Sequence, residues 1–458
     1  MERAISHGSD RRSGSKRLLL TATSLGFVVV QLDVTIVNVA LQQIGASFGG
    51  SVAGLQWVVN AYTLVFAALI LTAGAFGDRF GARRVFIAGF ALFTVASLGC
   101  GLAPTLAILI AARAIQGIGA AILVPCSLAV LNHAFNEDRE RAKAVSIWAA
   151  GASVALSAGP VVGGIIVAGI GWRSIFFINV PIGLFGIWLA WHHASETTVS
   201  AQRRLDPVGQ LLAIFALADL ATVMIEGGTM GWIHPVILAG FSLFGVAAAA
   251  FIFIESCAES PMLPLHLFQD WTFTVTTLIG WTINVTFYGL IFVLSLFFQQ
   301  IQHYSALETG LAFLPMTGVV LAANLLSGRI TSRIGARIPI VIGQIAMLAG
   351  CIALLMIEQK TPYWEIFGQM SAIGAGIGLT VPAVTSALLS TVDKTQSGIA
   401  SGVLNAARQA GSVIGVALFG SLIAQQGHFV AGFRMSLVIS GAILLLTSLL
   451  AFRLPGRP

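Results

Sequence analysis

The stretch Ala73–Phe86, "AGAFGDRFGARRVF", sets Asp78, Arg79, Arg83 and Arg84 between two long apolar runs, in a 458-residue chain of which only 9% is charged. Hydrophobic residues make up 57%, and the mean hydropathy is +0.91. A soluble domain carries far less apolar surface, so the chain reads as an integral membrane protein. Crossing a hydrocarbon core of about 30 Å takes roughly 20 helical residues, and helices satisfy their own backbone groups where lipid offers no partner. The charged stretch is then a turn between two spans.

Outward from that turn, apolar runs place helices near 18–40, 53–76, 84–104, 106–131, 143–169, 174–193, 207–226 and 233–254. Six more follow near 271–298, 309–328, 337–357, 362–390, 399–424 and 433–452. The fold class is therefore an all-α membrane protein of fourteen spans.

Lys and Arg orient such a chain, because they gather on the cytoplasmic side. With both termini inside, that side receives Arg3, Arg11, Arg12, Lys16, Arg17, Arg79, Arg83, Arg84, Arg139, Arg141, Lys143, Arg203, Arg204, Arg329, Arg333, Arg337, Lys394, Arg453 and Arg457. Only Arg173, Lys360 and Arg434 fall outside, while Arg113 and Arg408 lie within apolar runs. The net charge of +6 records this topology and gives no reason to expect a nucleic-acid partner. Residues 1–17 read as a flexible cytoplasmic tail, and the run behind them, longer than a signal h-region, as a first span rather than a cleaved leader. Cys100, Cys126, Cys257 and Cys351 have no disulfide or metal spacing and read as small packing residues.

Shifting the chain by 254 residues lays Gly74, Arg79, Gly81, Ala82 and Arg83 on Gly328, Arg333, Gly335, Ala336 and Arg337, with Asp78 on Ser332. Duplicated halves follow: a tail at 1–17, a six-helix half at 18–193, a linker with an inserted helix pair at 194–270, a second six-helix half at 271–452, and a cytoplasmic end at 453–458.

Several motifs stand in order along the chain. In the charged turn, Gly74 and Gly81 permit close approach and a tight reversal, and Asp78 with Arg79, Arg83 and Arg84 reads as a conformational latch. In the fifth run, Gly159, Pro160, Gly163 and Gly164 give small-residue spacing and a kink. Three ionisable residues inside the membrane stand out as proton-coupling candidates, because such charge is costly and kept for function. Asp33 can bind and release a proton, Arg113 can tune a nearby carboxylate, and Asp219 is either a second proton site or an acid facing the eighth helix or a neighbouring subunit. Gln116 lies one turn beyond Arg113 and shares its face.

With "LDVTIVNVAL" from Leu32, "RAIQGIGAAILVP" from Arg113, "SAGPVVGG" ending at Gly164, "WRSIFFINVPIG", "PMLPLHLF" and "LNAARQAGSVIG" beside the charged turn, the sequence resembles the major facilitator superfamily, in its fourteen-helix drug:proton antiporter group. The resemblance covers nearly the whole chain. It implies two pseudosymmetric halves working by alternating access, no cofactor beyond the proton gradient, amphipathic drugs or toxic small molecules as substrates, and the inner membrane as location. It implies contact with membrane lipid and a monomer, and allows a periplasmic adaptor. It associates the fifth-helix motif with antiporters and Arg113 with proton coupling.

By the same resemblance, a central cavity is lined from helices 1, 2, 4, 5, 9, 10, 12 and 13, with Gln31, Asn38, Trp57, Asn60, Tyr62, Gln116, Trp148, Trp281, Asn284, Asn324 and Arg408 as candidates. Aromatic side chains with few fixed charges suit bulky amphipathic compounds. Some relatives that export multivalent cations carry extra acids where Asn405, Arg408 and Gln409 stand here, which argues against dications. The competing transport reading is a dedicated exporter of one metabolite or natural product. An enzyme or channel is disfavoured: the chain holds no GxxxxGK[ST] loop, HExxH or GxSxG, and "GAGIG" at Gly374 lacks a strand before it.

Overall fold

The structure is a computed structural model describing residues 2–135, 137–196, 206–258, 261–358, 361–393, 396–424 and 429–455. Arg203, Arg204, Lys360, Lys394 and Arg457 lie outside the described residues, as do the side chains of Arg3, Arg11 and Arg12.

Among the described residues fourteen helices are long and apolar enough to span a membrane: α1 Gly14–Phe48, α2 Val52–Phe80, α3 Ala82–Leu102, α4 Leu106–Ala134, α5 Arg139–Ile170, α6 Ser174–His193, α7 Pro207–Met230, α8 Pro235–Cys257, α9 Trp271–Ile301, α10 Ala306–Ile334, α11 Arg337–Leu354, α12 Tyr363–Leu389, α13 Ser397–Ile423 and α14 Phe429–Ala451. Local signals punctuate them. Ser51, Thr105 and Asp270 cap the starts of α2, α4 and α9 through their side chains, and Ser305 with Glu308 forms a capping box on α10. Gly81 and Gly335 close α2 and α10 at φ of 90° and 84°, a region that favours glycine.

Two segments depart from the sequence reading. The chain is already helical from Glu2, so residues 2–17 continue α1 where a flexible tail is expected. With no proline to interrupt it, a helix nucleated by packing propagates backward. Near its other end α1 tightens into a 3-10 turn at Val37–Ala40 before resuming.

Packing repeats between the halves. In the first, α1 packs on α4, α5 and α6, α4 holds α2 and α3, and α3 meets α6. Each pairing recurs in the second as α9 on α12, α13 and α14, α12 on α10 and α11, and α11 on α14. The halves meet where α2 lies on α13 and α5 on α10, and α7 sits against both α2 and α13 with α8 behind it.

Contacts between the halves gather away from the basic face that carries the α2–α3 and α10–α11 turns. Gln42 Nε2 donates to the Gln299 carbonyl at 3.3 Å, Ser295 Oγ to the Asn38 carbonyl at 2.6 Å, and Gln56 Nε2 to the Val416 and Ala417 carbonyls at 3.0 and 2.6 Å. Nearer the middle, Asn324 Nδ2 donates to Ser153 Oγ at 3.3 Å. The far face is closed by backbone contact as well: a Cβ on Gly164 would stand 2.7 Å from the Ala306 carbonyl oxygen, and one on Gly310 would strike the Pro160 carbonyl.

Candidate functional site

The centre of the first half holds a closed polar cluster. Asp33 on α1 is fully buried and Arg113 on α4 is 1% exposed, and the two form an ion pair. Gln116 Nε2 donates to Asp33 Oδ1 at 2.9 Å and Asn179 Nδ2 to the same oxygen at 3.1 Å. Arg113 Nη1 also donates to Gln116 Oε1 at 2.7 Å, and its Nε to the Val58 carbonyl at 3.1 Å. Ser97 Oγ accepts from Gln116 at 2.8 Å and from Asn179 at 3.4 Å. The guanidinium lies over the Tyr62 ring at 4.3 Å, and Tyr62 donates its hydroxyl proton to the Val30 carbonyl at 3.3 Å.

This arrangement is chemically specific. A buried carboxylate is tolerable only with a paired charge and hydrogen bonds, and Asp33 has three donors. Removing its charge by protonation leaves Arg113 facing only neutral acceptors and an aromatic ring. The cluster draws side chains from five helices onto one buried ion pair.

Sequence reading finds Asp33, Arg113 and Gln116 but misses Ser97 and Asn179. A lone Ser on α3 and a lone Asn on α6 carry no periodic signal, and only tertiary packing brings them to Asp33. Gln116 and Tyr62, expected to line a cavity, are both fully buried in this closed cluster.

Other candidates scatter. Trp57 belongs to a groove between α2, α4 and α7 beside Leu64, Ala111 and Ala218 rather than to a central cavity. Trp148 stacks on Phe27 at 4.2 Å and donates to Ser127 Oγ at 3.0 Å, so its indole is consumed in packing. Asn284 bonds its own helix at the Gly280 carbonyl, 2.8 Å away. Asn38 and Asn324 join the halves as described above. Asn60 is fully buried with neither amide atom partnered, whereas Gln31 and Trp281 are half-buried. Arg408 donates to Thr385 Oγ1 at 2.8 Å and the Val381 carbonyl at 3.1 Å.

Asp219 stands apart from the Asp33 cluster, on the α7 face opposite Gly240 of α8, with Oδ2 shielded and unpartnered. A second acid pair escaped sequence reading. Asp206 and Glu255, at the adjoining ends of α7 and α8, both approach Gly209, and their shielded Oδ2 and Oε1 are without a hydrogen-bond partner. Glu255 Oε2 accepts from the Leu263 backbone at 3.0 Å.

In the charged turn, Arg83 donates to Glu196 Oε1 at 2.6 Å and to the Trp191 carbonyl at 2.8 Å, and Arg84 reaches the same carboxylate at 3.4 Å. These arginines thus grip the end of α6 within their own half. Slight desolvation pushes the Glu196 carboxyl upward, but the Arg83 hydrogen bond and both guanidinium charges outweigh it and hold it below its ordinary value. In α5, Gly159 and Gly163 receive α1 at Thr35, Ile36 and Val39, and Gly164 receives α10. The four cysteines are free.

Two repeated six-helix halves around an interface closed on one side define a membrane carrier. The chain belongs to the Major Facilitator Superfamily, matched over residues 23–416 and 276–458, and is a transporter rather than an enzyme. It is 37% identical over 441 residues, 95% of this chain and 93% of the relative, to the methylenomycin A resistance protein of Bacillus subtilis (strain 168). It is 37% identical over 407 residues, 89% and 76% of the two chains, to the multidrug resistance protein Stp of Mycobacterium tuberculosis (strain CDC 1551 / Oshkosh). In fold it is similar to a D-xylose-proton symporter, with a TM-score of 0.71, 15% identity, and 96% and 98% of the chains covered.

Proposed function

We propose that this protein is a proton-coupled antiporter that exports amphipathic drugs or toxic small molecules across the cytoplasmic membrane by alternating access, with the basic face and both termini on the cytoplasmic side. The observation that carries the reading is the buried Asp33–Arg113 pair with its Gln116 and Asn179 donors. The names of its relatives supply the substrate class. One charge crossing 100 mV releases about 2.3 kcal/mol, enough for a gradient of roughly 50-fold, so a proton suffices and no nucleotide is needed. A proton on Asp33 breaks the pair, and the freed guanidinium then favours a different packing of α1 and α4.

A narrower reading has its own support. The relatives named for methylenomycin A resistance point to a single natural antibiotic as cargo. Efflux from proteoliposomes under an imposed pH gradient separates the two: several lipophilic cations and neutral dyes moved by the wild type supports the polyspecific exporter, and transport of one antibiotic alone supports the narrow one. Coupling that survives intact in Asp33→Asn overturns Asp33 as the proton site.

A further inference from the structure

The second copy of the charged turn has kept two of its three arginines, Arg84 falling on Ile338, and lost its acids. Arg79 and Arg83 correspond to Arg333 and Arg337, whereas Asp78 corresponds to Ser332 and Glu196, the partner of Arg83, to Leu450. Among the described residues neither Arg333 nor Arg337 forms an ion pair. Where the first copy packs its turn onto α6, the second leaves a cavity of about 560 Å³ on the basic face. Its lining includes Arg333 and Arg337 with Thr331, Ser332, Ser386 and Ser390, of which Ser332 and Ser390 donate their hydroxyl protons to the Arg329 and Ala387 carbonyls. Thr331 Oγ1 is shielded from solvent and without a hydrogen-bond partner.

We propose that this cavity binds a phosphate group, either an anionic phospholipid headgroup or a free phosphate, which supplies the negative charge that the second copy has lost. Two guanidinium groups offer forked donors suited to phosphate oxygens, and the unpartnered Thr331 hydroxyl adds a further donor. The volume exceeds that of a bare phosphate ion and leaves room for a glycerol ester. This site is independent of the Asp33 cluster, which lies in the other half.

The test uses the purified full chain after delipidation, with phosphatidylglycerol, phosphatidylcholine and inorganic phosphate as separate probes. Binding is read by native mass spectrometry and by the shift in thermal unfolding. Saturable retention of phosphatidylglycerol but not phosphatidylcholine assigns the lipid source, and saturable stabilisation by inorganic phosphate, with sodium chloride at equal ionic strength as the control, assigns the free one. In either arm Arg333→Gln with Arg337→Gln weakens binding at least about tenfold, the loss of one or two charge-assisted bonds. Arg333→Lys with Arg337→Lys, which preserves orienting charge, retains most of it. If the double glutamine variant does not fold, the single variants carry the comparison. Absence of saturable binding, or equal binding by wild type and glutamine variants, overturns the proposal.

Discussion

The proposed proton role sets Asp33 two demands: to be stable as an anion in the interior, and to be able to give that state up. Its three donors meet the first, and Arg113 sets the cost of the second, since breaking a buried pair from one side costs about 3–5 kcal/mol. Asp33→Asn is expected to keep the shape of the cluster, lower thermal stability through the unpaired Arg113, and abolish counterflow driven by a pH gradient. Proteoliposome flux with and without the gradient checks it. Gln116→Leu removes one donor to Asp33 and one to Ser97, with an expected cost of about 1–3 kcal/mol, read from thermal unfolding in detergent. At Glu255 the two unpartnered carboxyl oxygens make a sharper comparison. Glu255→Gln supplies the missing donor to Asp206 and is expected to fold as the wild type does, whereas Glu255→Ala strands the Asp206 carboxylate and lowers the unfolding midpoint.

Among the elements, α5 bears the most constraint, because its small residues receive α1 on one side and α10 on the other. Gly310→Ala forces a methyl group against the Pro160 carbonyl at the closed face, and overpacking of this kind costs about 1–3 kcal/mol. The expected result is normal membrane insertion with transport severely reduced, measured as efflux per inserted molecule. The tie from the charged turn to α6 belongs to this scale too. Because the Glu196 carboxyl is held below its ordinary value, its contribution is present above that value and fades as pH falls through the lowered one. The pair is exposed, so Glu196→Gln is expected to change stability at neutral pH only slightly, by the same unfolding measurement.

Over the whole molecule the contacts between halves run from the far face to Ser153 and Asn324 near the middle. A disulfide between Ser153→Cys and Asn324→Cys is expected to stop turnover and release it on reduction, as flux before and after a reductant would show. Orientation has a native probe, since Cys257 is exposed at the end of α8 while the other three cysteines are buried. A membrane-impermeant thiol reagent is expected to label it in inside-out vesicles and spare it in right-side-out ones.

Hydropathy by itself determined the fourteen spans, because lipid requires backbone groups to be satisfied within each helix, and the 254-residue repeat of the charged turn pointed to the two halves. Hydropathy also exposed Asp33 and Arg113, since a charge inside an apolar run is visible without knowing its neighbours. Only the tertiary structure decided what these residues meet. Ser97, Asn179 and Tyr62 come to the cluster from three other helices, Trp57 lines a groove beside α7, Trp148 packs on Phe27, and Asp206 finds Glu255. The physical reason is that inside a bilayer every face of a helix is apolar, so hydropathy says which segments cross but carries almost no information on which face packs against which partner.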